Sequence, residues 1–383
     1  MEQHQGKKGD RRIALVHDFL VSFGGAERVL AALHELYPEA PIYTLLADPA
    51  VTERVVPGAT IRTSWLQKLP GFLRRRYRLL LPFFPVAVET FDLREYDVIL
   101  SSSGAWSKGV VTRLHTWHIA YLHSPMRYAW DYHEAYLREA RPSGLFRFLV
   151  RLFMSYLRVW DVQAADRPDI LLSNSFFTAE RVRKYYRRES EVIYPPALDL
   201  AERFPDISAS DAGKREHFLM VARLTASKKA DVVIDAANKL GVPLVVVGSG
   251  PEAKHLRKAA GKTVRFAGKA DDAALAALYQ KARALILPSE EDFGMVAVEA
   301  LSFGVPVIAY DYGGIREIIE DKKTGLFVES QTPEVFAAAL ARFIASESSF
   351  DRTLVRRAAE RFSKQAFQEK IKAVLALENN SAG

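Results

Sequence analysis

The stretch Glu291-Asp-Phe-Gly-Met-Val-Ala-Val-Glu299 joins two apolar runs, residues 284–287 before it and residues 305–309 after it. Each run is short and aliphatic and adjoins Pro or Gly, the pattern of a buried strand. Between them the chain reads as a loop that enters a helix, so the whole predicts one strand–loop–helix–strand unit of a parallel sheet. Glu291 falls on the loop at the carboxyl end of the first strand, and Phe293, Gly294 and Met295 open the helix. The first turn of a helix offers free N–H groups and the positive end of its dipole, which favour an anion. Glu291 and Glu299, eight positions apart, add two carboxylates suited to a polyhydroxylated ligand. An anionic sugar derivative meets both demands.

Outward from this unit the same alternation covers the chain. Strands are expected near residues 13–17, 42–46, 98–101, 117–123 and 170–173, with helices between them, and a short strand at residues 192–193. Then comes Tyr194-Pro-Pro-Ala-Leu-Asp199, where adjacent prolines disfavour helix and mark a linker. A second series follows at residues 218–221, 244–247, 264–266, 284–287 and 305–308. The expected fold class is α/β, with two doubly wound, Rossmann-like domains, residues 1–197 and 198–363, facing across a cleft. Ligands in such sheets bind at the carboxyl ends of the strands.

A length of 383 residues is comfortable for two cores, and 49% hydrophobic with 26% charged residues reads as globular. With no cysteine, disulfides, zinc–thiolate sites, iron–sulfur clusters and thiol nucleophiles are excluded. Residues 1–12 are polar and show no secretory signal, and no run approaches a membrane span. The net charge of +7 suits nucleic acid, anionic lipid or phosphorylated ligands alike. His115, His118 and His133 match no strong metal-ligand spacing, and there is no Asp-x-Asp pair, so no metal is expected.

Several segments carry a resemblance. Pro288-Ser-Glu-Glu-Asp-Phe-Gly294, the run from Glu299 to Val307 and Gly313-Gly-Ile-Arg-Glu317 resemble the glutamate-x7-glutamate signature of the family-4 retaining glycosyltransferases, whose fold is GT-B. His17-Asp-Phe-Leu-Val-Ser-Phe-Gly-Gly-Ala-Glu27 resembles that family's glycine-rich first loop, and Val221-Ala-Arg-Leu-Thr-Ala-Ser-Lys228 its arginine and lysine pair. The resemblance spans nearly the whole chain. It implies transfer of a hexose from a nucleotide diphosphate sugar, which acts as co-substrate with no further cofactor. Glu291 would hold hydroxyls of the donor sugar and Glu299 those of the ribose. Arg223 and Lys228 would stabilise charge building on the leaving phosphate, which would itself take the acceptor's proton. His123 would stand beside the anomeric carbon, Gly24 and Gly25 would let backbone approach the donor, and Arg265, Phe266 and Gly268 would lie near the base. The last helix, from about residue 364, would cross back to the first domain. Tyr121-Leu-His-Ser-Pro-Met-Arg-Tyr-Ala-Trp-Asp131 is similar to mannosyltransferases of bacterial surface polysaccharide synthesis, which implies GDP-mannose.

Plainer readings stand beside these. Arg223 and Lys228 could be solvated surface charges, Glu299 an ordinary polar helix position, and His123 a structural histidine. Gly248-Ser-Gly-Pro-Glu-Ala253 satisfies G-x-G-x-x-A, the fingerprint of an NAD-dependent dehydrogenase, though it leaves Glu291, Glu299, Arg223 and Lys228 without a role. A basic nucleic-acid-binding module is the third class; no nucleic acid is expected in the glycosyltransferase reading. Two stretches mix arginines with large apolar residues: residues 65–84, from Trp65 to Phe84, and residues 145–160, from Leu145 to Trp160. Either suits an anionic membrane interface, consistent with a lipid-linked or oligosaccharide acceptor at the cytoplasmic membrane face. The alternative for residues 145–160 is a core helix with its arginines in solvent.

Overall fold

The computed structural model describes residues 11–131, 144–196, 200–204 and 215–381. Two compact units divide between Tyr194 and Pro195, and Val374 onward groups with the first. The first unit is built on strands β1 (Ile13–Leu20), β2 (Ile42–Ala47), β3 (Ile61–Thr63), β4 (Val98–Ser103), β5 (Trp117–Leu122), β6 (Ile170–Ser173) and β7 (Glu191–Val192). They form a sheet in the order β3-β2-β1-β4-β5-β6-β7. Every neighbouring pair is parallel. A parallel sheet covered on both faces demands strands without alternation, and all six residues of β4 are buried. Its helices include α1 (Gly25–Leu36), α2 (Gly144–Ala165) and α3 (Phe176–Tyr186). Trp106, Trp160, Phe84 and Leu157 belong to one buried core cluster of this unit.

The second unit uses β8 (His217–Val221), β9 (Leu244–Val247), β10 (Val264–Gly268), β11 (Ala282–Leu287), β12 (Val307–Tyr310) and β13 (Gly325–Val328) in the order β10-β9-β8-β11-β12-β13. These too are all parallel. Among its helices are α4 (Asp272–Gln280) and α5 (Met295–Ser302), and α6 (Lys364–Ser381) ends the described chain. In each sheet the strand order reverses once, between β1 and β4 in the first and between β8 and β11 in the second. The carboxyl ends of those two strand pairs are where a doubly wound sheet offers a ligand crevice.

Two strands lie outside the expected set, β3 with three residues and β13 with four. The strand expected from residue 305 starts at Val307 instead. The Val305 N–H bonds back to the Ala300 carbonyl at 2.9 Å and so closes the end of α5, with Gly304 left-handed at φ 66°.

Candidate functional site

At the reversal of the second sheet, the loops after β8 and β11 bring two of the expected residues together. Lys228 ends a single 3-10 turn, Ala226–Lys228, and its Nζ lies 2.6 Å from Glu291 Oε1. Ser289 Oγ donates to the same oxygen at 2.8 Å. Both side chains remain in contact with solvent, Lys228 at 28% and Glu291 at 20% exposure, so the pair lines the surface and is no interior brace. Arg223 projects from the first residues after β8 and is exposed, with no ion pair among the described residues. The Glu291 loop is clamped from behind: its carbonyl accepts the Gly314 N–H at 2.9 Å. Gly313 sits at φ 91°, and a Cβ there would stand 2.4 Å from that carbonyl oxygen, so only glycine fits.

The loop then enters α5, whose N-cap is Gly294 at φ 107°. The Phe293 side chain is 3% exposed and meets Phe362 edge-on at 5.4 Å, so what Phe293 presents at the helix mouth is backbone. Met295 is half-buried in the first turn. Glu299 is 2% exposed and accepts a hydrogen bond from the Tyr279 hydroxyl of α4 at 3.0 Å. That burial sets it apart from the ordinary polar helix position of the plainer reading, and a buried carboxylate requires such partners. Tyr279 is itself held by stacking on Phe303 at 5.4 Å.

Next to β8, the loop Gly248-Ser-Gly250 packs backbone to backbone against the loop that carries Arg223. The Leu224 N–H donates to the Ser249 carbonyl at 3.0 Å, and the Glu252 N–H to the Leu224 carbonyl at 3.1 Å. A Cβ on Gly250 would lie 2.1 Å from the Leu224 oxygen, and one on Gly248 1.9 Å from the Ala222 oxygen. This contact accounts for both glycines without a dinucleotide. On β10, Arg265 is exposed and Phe266 half-buried, and Gly268 accepts the Gly248 N–H at 2.7 Å where the strand register shifts.

At the reversal of the first sheet, β4 ends in Ser101-Ser102-Ser103, three buried hydroxyls that need partners. Ser101 Oγ lies 2.8 Å from His118 Nε2, and Ser102 Oγ lies 2.8 Å from His123 Nε2 and 3.2 Å from His17 Nδ1. His17 Nε2 in turn faces Glu27 Oε1 at 3.7 Å. Glu27 is in the first turn of α1, whose N-cap is Gly24 and first residue Gly25. Gly24 is extended at φ −162°, so no left-handed turn demands glycine there. Asp18, next to His17, accepts four backbone N–H bonds of 2.7–3.1 Å from Gly104, Ala105, Trp106 and Ser107, which pins the loop after β4. Burial, and then the nearby His17, push the His123 ring down to about 3. Burial, then Arg167 and Arg188, do the same to His118, also to about 3. These rings are neutral at physiological pH.

The structure thus joins Lys228 to Glu291, and His123 to the helix that Gly24 caps. His17, Asp18 and Ser102 escaped the residue-level reading, although three serines in one buried strand were a visible sign. His115 is exposed and His118 buried, and His133 lies outside the described residues. Among the described residues no group of three His, Cys, Asp or Glu is placed to hold a metal.

The two basic, apolar stretches differ. Residues 65–84 form short helical turns that bury Leu66, Leu80 and Phe84 and expose Trp65, Phe72, Leu79 and Phe83. Helix α2 presents a longer stripe, with Phe148, Leu149, Leu152, Tyr156 and Val159 each 50–63% exposed, while Leu157 and Trp160 enter the core. The core-helix alternative for residues 145–160 therefore describes only one face of α2. No helix among the described residues is long and apolar enough to cross a membrane.

Comparison with known proteins bears on this site. Residues 204–378 match the family model of glycosyl transferases group 1. The chain is 27% identical over 212 residues to a D-inositol 3-phosphate glycosyltransferase of Jonesia denitrificans, covering 48% of this chain and 50% of that protein. It is 29% identical over 205 residues to a GDP-mannose-dependent alpha-(1-6)-phosphatidylinositol monomannoside mannosyltransferase of Mycobacterium tuberculosis, covering 47% and 53%. The chain spans about half the length of the curated relatives it matches. Among solved structures, Anabaena HepE in complex with UDP and glucose superposes with a TM-score of 0.68 at 18% identity, over 96% of this chain and 100% of HepE. That likeness is one of fold: two parallel-sheet, Rossmann-like domains of the α/β GT-B class.

Proposed function

We propose that this protein is a retaining glycosyltransferase that moves a hexose from a nucleotide diphosphate sugar to a lipid-linked or polysaccharide acceptor. The observation that carries this reading is the Lys228–Glu291 pair, 2.6 Å apart where the second sheet reverses its strand order. It sets a cation for phosphate and a carboxylate for sugar hydroxyls beside the mouth of α5. The match of residues 204–378 to the glycosyl transferases group 1 model covers the same segment.

In this reading the α5 amides and Lys228, with Arg223, hold the diphosphate. As the glycosidic bond breaks, negative charge grows on the leaving phosphate oxygen, and cations already in place stabilise it more than they stabilise the bound donor. That oxygen takes the acceptor hydroxyl's proton as the new bond forms on the same face of the sugar, so the protein supplies no general base. Glu291 holds donor-sugar hydroxyls, Glu299 meets the ribose beside Tyr279, and Arg265, Phe266 and Gly268 border the base. His123, neutral, holds the transferred sugar without adding charge. No metal or further cofactor takes part.

GDP-mannose is the favoured donor, on the resemblance of residues 121–131 and on the named donor of the Mycobacterium tuberculosis relative. UDP-glucose is its competitor, on the UDP and glucose of the HepE complex. The exposed stripe of α2 and the basic stretch at residues 65–84 support peripheral attachment to an anionic membrane at the cytoplasmic face, where a lipid-linked acceptor would be met. The test is release of nucleoside diphosphate from GDP-mannose and UDP-glucose in the presence of a lipid-linked acceptor pool. Acceptor-dependent release that disappears in Glu291→Ala is expected, and release unaffected by that change would contradict the assignment.

A further inference from the structure

Ser102 Oγ stands between two imidazoles, 3.2 Å from His17 Nδ1 and 2.8 Å from His123 Nε2. Ser102 is fully buried and His17 is 2% exposed, so no bulk solvent competes at the centre of this chain of groups. A hydroxyl carries one proton. It can donate to one ring only, and if both rings donated to its two lone pairs the buried Ser102 proton would be left without an acceptor, so one ring accepts and the other donates. The polarity of the whole chain is therefore a single binary choice.

Glu27 makes that choice. Its carboxylate accepts and never donates when ionised, and Oε1 lies 3.7 Å from His17 Nε2. At this separation the carboxylate acts through its field, beyond hydrogen-bond reach, and it favours a proton on the nitrogen that faces it. With that proton on Nε2, the ring presents the lone pair of Nδ1 to Ser102 and accepts from it. The Ser102 oxygen, having donated, accepts from His123 Nε2–H. His123 is left with a lone pair on Nδ1, a nitrogen that makes no hydrogen bond among the described residues.

We infer that Glu27, His17 and Ser102 are positioning residues that lock His123 in the Nε2–H tautomer and so make its Nδ1 an acceptor for a substrate hydroxyl. The chemical class recognised is an alcohol O–H of the transferred sugar, and a deoxy or O-methyl group at that carbon lacks the proton that Nδ1 accepts. The opposite polarity would present an N–H and would select an acceptor atom instead. The inference rests on the proposed function for its substrate, while the tautomer itself does not.

The tautomer is read directly from the ring nitrogen shifts of wild-type protein labelled with 15N-histidine, at pH 7.5 and without ligand. His123, identified by the loss of its signals in His123→Gln, is expected with Nε2 protonated and Nδ1 bare; a protonated Nδ1 overturns the inference. Turnover of the nucleotide sugar gives the second reading. Ser102→Ala should lower kcat about tenfold, the loss from one ordinary hydrogen bond that no longer orients an acceptor, with donor KM within twofold. Ser102→Thr retains the hydroxyl and should restore most of it. Unchanged kcat in a folded Ser102→Ala, or no rescue by a folded Ser102→Thr, overturns the positioning role. If Ser102→Ala does not fold, the wild-type tautomer decides alone. If no nucleotide sugar turns over yet Nε2 is protonated, the relay stands and the proposed function falls.

Discussion

Lys228 and Glu291 are 63 positions apart in the chain and meet at 2.6 Å. Each was legible in the sequence as a charged residue just past an aliphatic run; their pairing was not, because spacing says nothing about which strands become neighbours. Removing the cation should matter most when charge develops on the leaving group. Lys228→Ala is expected to lower kcat by roughly 10²–10³, the usual loss of one preorganised donor, with a smaller change in donor KM. Steady-state kinetics decides, and a change confined to KM would mean that Lys228 binds the ground and transition states equally. The buried histidines give a pH prediction. His118 is held neutral down to about 3 in the folded protein, against an ordinary value of 6.5. Its depressed folded value means the unfolded chain gains the proton first, so stability is whole above about pH 6.5 and is lost as pH falls toward 3. His118→Gln, which keeps a partner for Ser101, should flatten part of that loss between pH 7 and 4.5 in urea titrations. An unchanged slope would mean that other groups govern acid unfolding.

Elements were easier to foresee than contacts. Unbroken aliphatic runs such as Leu244–Val247 announce themselves, whereas β3 reads Ile-Arg-Thr and β13 Gly-Leu-Phe-Val, and both pair along the edges of their sheets with β2 and β12. The glycines at 248 and 250 matched a dinucleotide fingerprint in sequence, yet in the structure they admit the backbone of the neighbouring loop. Gly250→Ala would force that contact apart, and we expect a loss of at least about 2 kcal/mol with weaker nucleoside diphosphate binding. Thermal melts with and without GDP or UDP would show both, and a neutral substitution would mean that the loop yields freely. Helix α2 shows the opposite limit. It is apolar around much of its circumference, so its periodicity could not say which face meets the core. The structure leaves Phe148, Leu152 and Tyr156 outside with Arg147 and Arg151, near the cations that an anionic surface attracts. Leu152→Asp should weaken binding to vesicles containing phosphatidylglycerol on the order of tenfold or more, since it withdraws one immersed aliphatic side chain and adds a like charge. Equal binding of wild type and variant in a sedimentation assay would remove α2 from the membrane account.

For the whole molecule, two doubly wound sheets were readable from the alternation of aliphatic runs with helical segments, and the two compact units divide between Tyr194 and Pro195. What the chain binds is the larger claim. Both sheets gather their polar side chains where strand order reverses, and the second sheet does so with a cation, a carboxylate and a helix mouth. That set suits a nucleoside diphosphate joined to a sugar, whereas the Gly248 loop, read alone, pointed to NAD. The most direct measurement is the thermal midpoint in the presence of GDP, UDP, ADP or NAD, for wild type and Lys228→Ala. A ligand present at 100 times its dissociation constant stabilises the native state by about 2.7 kcal/mol. One nucleoside diphosphate, GDP if the donor reading is right, should raise the wild-type midpoint by several degrees and lose that effect in Lys228→Ala. Stabilisation by NAD alone would contradict the account.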